Sequence, residues 1–214
     1  MVNGLLYHPE EAIEVLTKAD ATLGRVIGML GPFGLEGRGM ASPFRTLLRA
    51  IAGQQLSRKA ADTIFGRLMA LLPEDETLQP KAVLALPDES LRAAGLSRAK
   101  TLAIKDLALK TIEGVVPPMQ ALLEMSDDEI IAHLTKVRGV GRWTVEMLLI
   151  FHLGRPDVLP VDDLGLRKGY QIAYGLPELP PPKAVLAYGD RWRPYRSVAS
   201  WYLWRVLDSG VNIA

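Results

Sequence analysis

Serine caps cut this sequence into short helices, and that punctuation restricts the fold more than any other feature. Ser42 precedes Pro43, pairing an N-cap with a proline at the first helical position. Ser57 stands ahead of Ile64, Leu68 and Leu71, and Ser97 follows Gly95 at the junction of two helices. Ser126 with Glu129 has the spacing of a capping box, in which hydroxyl and carboxylate satisfy each other's backbone N–H groups. Pro9 opens a further helix. Between these signals apolar residues recur every three or four positions, as with Phe44, Leu47, Leu48 and Ile51. Alternation of period two is scarce. The expectation is an all-α protein.

The same reading predicts a helix continuing over 19–30 and broken by the glycine-rich run 31–39, a boundary between lobes. Short helices are predicted over 80–86 and 88–94. A longer one over 98–113 is expected to present Leu102, Leu107, Leu109 and Ile112 on one side. The last helix, over about 194–207, carries Trp201, Tyr202 and Trp204. The acidic clusters Glu74 to Glu76, Asp88 with Glu89, and Asp127 to Glu129 read as solvated helix starts.

Composition excludes several classes. A chain of 214 residues can bury a core in one domain or in two compact lobes. Cysteine is absent, so disulfides, cysteine-ligated zinc and iron–sulfur clusters are out of reach. His8, His133 and His152 lack metal-ligand spacing, and no catalytic metal or cofactor is expected. No segment is apolar enough to span a membrane and the N-terminus lacks a leader pattern, so a cytoplasmic location is expected, nucleoid-associated in a bacterium. The net charge of +1 is low for a nucleic-acid binder. It is unevenly spread: residues 131–214 hold 11 Lys/Arg against 7 Asp/Glu.

That basic part contains the most distinctive stretch. One helical pattern ends at Thr135 and Lys136, a turn runs through Val137, Arg138, Gly139, Val140 and Gly141, and Arg142 begins another helix. Two glycines let the backbone bend sharply and lie bare beside a ligand. Amides at a helix N-terminus attract anions such as phosphate. An ordinary helical corner ending in glycine would have the same local sequence.

The wider pattern is more specific. Leu134, Val137, Gly139, Val140, Gly141 and Thr144, followed by Leu159, Pro160, Val161, Asp162 and Asp163, resemble the signature of the helix-hairpin-helix DNA glycosylases. Arg142, Trp143 and Thr144, with the run from Arg191 to Ser197, narrow the resemblance to the DNA-3-methyladenine glycosylase II branch. It covers about 42–204. It implies a two-lobed helical fold with the active site in the cleft between the lobes. A central lobe would span 36–151, and 1–35 with 152–214 would form the second.

The resemblance also implies roles. Asp162 matches the catalytic carboxylate, with Asp163 the internal alternative. Trp143 and Trp204 match aromatic positions of the base pocket, and Met147 and Asp163 stand where some relatives have further aromatics. Gly139, Val140, Gly141 and Arg142 would grip a DNA phosphate. The loop Gln54, Gln55, Leu56 and Ser57 would enter the DNA, with Gln55 at the inserting position and Leu56 beside it. Carbonyls of Thr135, Val137 and Val140 would hold a structural Na+ or K+. Strand-cleaving relatives carry a lysine where Trp143 stands, so a monofunctional enzyme is implied. It would act as a monomer on double-stranded DNA containing alkylated bases, releasing purines such as 3-methyladenine and 7-methylguanine. The alternative is a non-catalytic helix-hairpin-helix DNA-binding module, which accounts for the turn but not for Asp162 or the tryptophans.

Overall fold

The computed structural model describes residues 4–37, 39, 42–72 and 79–210. The chain forms two compact units: Met1–Gly39 with Glu146–Ala214, and Met40–Val145. The described residues are helical, with no extended strand among them, and none of their helices is long and apolar enough to cross a membrane. The acidic cluster Glu74 to Glu76 lies outside the described residues.

The first unit opens with α1 (Pro9–Ala19) and α2 (Ala21–Leu30). The continuous helix expected over 19–30 is instead interrupted at Asp20, which leaves helical backbone and accepts hydrogen bonds from the Thr22 and Leu23 amides. An aspartate at this point caps a new helix more favourably than it extends an old one.

The second unit runs from α3 (Pro43–Gly53) through α4 (Arg58–Met69), α5 (Pro80–Ala85), α6 (Asp88–Ala93) and α7 (Arg98–Ile112) to α8 (Met119–Glu124) and α9 (Asp127–Leu134). Ser42, Ser57, Ser97 and Ser126 each accept a backbone N–H at a helix start, and Ser126 with Glu129 completes the capping box. The face expected on α7 is corrected. Leu102, Leu109 and Ile112 are exposed, whereas Thr101, Ala103, Ile104, Leu107 and Ala108 are buried. Helix α7 packs on α3 and α5, and small side chains on its inner face admit that close approach.

Helix α10 (Arg142–Phe151) begins in the second unit and ends in the first. The first unit is completed by α11 (Leu164–Ala173), α12 (Pro182–Gly189), a 3₁₀ turn at Asp190–Trp192, and α13 (Arg196–Ser209). Helices α11 and α13 cross so closely that a Cβ at Gly169 would collide with the Leu203 carbonyl. Buried Asp20 ties the N-terminal and C-terminal segments of this unit together. Its Oδ2 accepts from the Tyr174 hydroxyl at 2.6 Å and the Trp192 indole at 2.9 Å. Burial alone would raise its pKa, but the hydrogen bonds from Tyr174, Trp192, Leu23 and Thr22 hold it below the ordinary value. Trp192 is fully buried in the core of this unit.

Candidate functional site

The turn between α9 and α10 is built from the inside. Val137 and Val140 are buried and anchor it. The Val137 amide donates to the Leu134 carbonyl, and the Val140 amide donates to the Val137 carbonyl at 3.0 Å. Asp106 on α7 accepts from the Arg138 amide at 2.7 Å. The two glycines differ. Gly139 has φ +77°, and a Cβ there would lie 3.3 Å from the Ala103 methyl, so its need for glycine is internal. A Cβ at Gly141 would meet nothing within 4 Å, and its φ lies outside the left-handed region. The bare backbone at Gly141 therefore answers no internal demand of the fold. Arg142 and Trp143 follow on the exposed side, Trp143 with 48% of its surface accessible.

A second element of the same unit reaches this turn. After α3 the chain passes through Gln54, Gln55, Leu56 and Ser57 before α4. The Gln54 side-chain amide donates to the Gly139 carbonyl at 2.8 Å, so this side chain is engaged within the protein. Gln55 has φ +60°, and it is the one non-glycine residue with positive φ among the described residues. Such backbone costs roughly 1–2 kcal/mol in a residue with a Cβ. Gln55, Leu56 and Ser57 are exposed, and the Ser57 hydroxyl accepts the Ala60 amide to cap α4. Lys100, on α7, holds this loop. Its ammonium donates to the carbonyls of Ala52 at 2.8 Å and Gln54 at 2.7 Å. Desolvation lowers its pKa.

In the first unit, buried Val158, Leu159 and Pro160 fix the segment that leads into α11. A bare structural reading makes Asp162 the N-cap of this helix. The cap is Asp163, whose Oδ1 accepts the Leu166 amide at 2.7 Å. The same oxygen accepts the Trp204 indole N–H at 2.9 Å, and Trp204 stacks on Phe151 with ring centroids 5.8 Å apart. Asp162 is exposed and makes no hydrogen bond or ion pair with any described residue. Two neighbouring carboxylates thus have separate circumstances: one closes a helix and orients an indole, the other faces outward. The hydrogen bond between Asp163 and Trp204 joins residues 41 positions apart in the chain. No group of three or more potential metal-ligating His, Asp or Glu side chains occurs among the described residues.

Comparison with known proteins identifies the family of the chain. The family model described as HhH-GPD superfamily base excision DNA repair protein matches residues 48–194. DNA-3-methyladenine glycosylase 1 of Schizosaccharomyces pombe is 38% identical over 205 residues, which span 92% of this chain and 90% of that protein. Among solved structures, the 3-methyladenine DNA glycosylase Mag1 of the same yeast in complex with abasic DNA aligns with a TM-score of 0.82 and 36% identity. The alignment covers 95% of this chain and 98% of Mag1. A DNA-3-methyladenine glycosidase of Bacillus halodurans aligns with a TM-score of 0.84 and 33% identity, covering 93% of this chain and 90% of that one. The chain belongs to the HhH-GPD superfamily of base excision DNA repair proteins.

Proposed function

We propose that this protein is a monofunctional DNA glycosylase that releases alkylated purines, such as 3-methyladenine and 7-methylguanine, at the start of base excision repair. The single observation that carries the reading is Asp162: an exposed carboxylate following Pro160 and Val161, relieved of capping by its neighbour. A target base inside a duplex must first leave the stack. Turn amides at the start of α10, with Gly141 bare, bind a backbone phosphate and hold the duplex in register. The aromatic face of Trp143 receives the flipped base, and Trp204, oriented by Asp163, is a further pocket residue. A base alkylated at a ring nitrogen is often cationic, which improves it as a leaving group and attracts it to an aromatic face.

The N-glycosidic bond then breaks, and the base departs with the bonding electrons. Asp162 stabilises the oxocarbenium character developing on the sugar, orients the water that adds to the anomeric carbon and accepts the proton that water loses. Trp143 offers no amine, so no Schiff base forms and the strand stays intact. The carbonyls of Thr135, Val137 and Val140 are hard, neutral oxygens suited to a monovalent cation. Val137 would use the lone pair left over from its hydrogen bond with Val140. Such an ion would add positive charge beside the phosphate.

The test is incubation with methylated duplex DNA and chromatography of the released bases, followed by borohydride treatment. Free methylpurines, no trapped protein–DNA adduct, and cleavage of the abasic product only after alkali are expected. DNA binding without base release would instead identify a binding module, and a trapped adduct would overturn the monofunctional reading.

A further inference from the structure

We infer that Lys100 is a positioning residue which, together with Gln54, sets the loop 54–57 as the wedge that fills the DNA stack vacated by the target base. This rests on the glycosylase reading above. Helix α3 ends with carbonyls that lack helical partners, and the Lys100 ammonium bonds two of the oxygens at that end, those of Ala52 and Gln54. A cation at this pole of the helix also matches its dipole. The Gln54 side chain then ties the root of the loop to the Gly139 carbonyl of the hairpin. On the far side, Ser57 is fixed as the cap of α4.

Between those two fixed ends lies Gln55, in left-handed backbone that glycine would adopt without strain. A cap that served α3 alone would not require a side chain at this position. Strained backbone persists where the surrounding structure over-determines it, and here the surroundings are Lys100 and Gln54. The exposed residues Gln55 and Leu56 are thereby presented at a set distance from the phosphate-binding turn. Wedge and phosphate grip form one mechanical piece within the second unit, with Lys100 as its strut.

A wedge matters only where a base pair must be broken and kept open, which separates this role from general stabilisation. Release of 7-methylguanine should be followed under single-turnover conditions in two duplexes. In one the lesion faces cytosine, and in the other a tetrahydrofuran abasic analogue, where no pair has to be broken. Lys100→Met should slow release from the paired duplex by about tenfold or more, and from the unpaired one by less than about threefold. Lys100→Arg, which keeps the donors, should restore most of the difference. Gln54→Met should reproduce the pattern, and it carries the comparison if Lys100→Met does not fold. Equal losses in both duplexes, or no loss in the paired one, would overturn the inference while leaving the glycosylase reading intact. Wild-type protein that releases base from neither duplex would sink that reading and this inference together.

Discussion

Two helices of this protein start in opposite ways. At α11 the carboxylate of Asp163 closes the first turn, accepting the Leu166 amide as well as the Trp204 indole. At α10 the residue before Arg142 is Gly141, which has no side chain to supply such an oxygen. A helix start carries partial positive charge and N–H groups in search of an acceptor. One start meets that demand from its own sequence. The other has no capping side chain at Gly141, and the open space around that residue is where the proposed phosphate contact falls. The aspartate beside the well-closed start, Asp162, takes no part in closing it.

Substituting an acceptor into the bare start is the strongest way to break this contrast. Gly141→Asp places a carboxylate at the N-cap of α10. Stability should change by only a few tenths of a kcal/mol, because aspartate and glycine differ little there. DNA affinity should fall at least about tenfold, because a fixed negative charge now meets the phosphate. The weakening should be equal for damaged and undamaged duplexes, since phosphate contacts carry no base identity. Binding isotherms at one fixed salt concentration check this, and unchanged affinity would remove the hairpin from the interface.

Gly139 sharpens the comparison by failing differently. Gly139→Ala forces a Cβ into left-handed backbone and towards Ala103, so the folded state should lose about 1–2 kcal/mol. Thermal melting should report the loss, whereas Gly141→Ala should melt like the parent. Equal melting of both variants would contradict the assignment of Gly139 to the fold.

The smallest effect concerns charge in the substrate. Trp143→Ala should slow release of cationic 7-methylguanine more than that of neutral hypoxanthine, by roughly twofold to thirtyfold, the range of a cation–π contact of about 0.5–2 kcal/mol. Parallel release assays on the two bases decide it. Equal losses would assign Trp143 to shape alone.

Much of this was legible in the sequence where a single residue type carries the physics locally. Ser42, Ser57, Ser97 and Ser126 cap the helices expected of them, and the turn from Val137 to Gly141 follows its glycines. Contacts between distant segments were not legible. The face of α7 depends on which neighbours pack against it, and periodicity favoured leucines that turned out exposed. The division of labour between Asp162 and Asp163 depends on Trp204, and the role of Lys100 depends on where α3 ends. A lone lysine three residues after a cap has no sequence pattern that reveals which carbonyls it will reach.

One paired measurement separates Asp162, proposed to do the chemistry, from Asp163, which supports the structure. Asp162→Asn and Asp163→Asn should each be assayed for lesion-duplex affinity and for single-turnover release of 7-methylguanine. Asp162→Asn should bind the duplex like the parent and release base slower by about a thousandfold or more, as expected for loss of a preorganised charge at the reacting centre. Asp163→Asn keeps an oxygen for the cap and should retain release within about tenfold. Release that survives in Asp162→Asn and vanishes in Asp163→Asn would reverse the assignment, and release that survives in both would remove this carboxylate pair from the reaction.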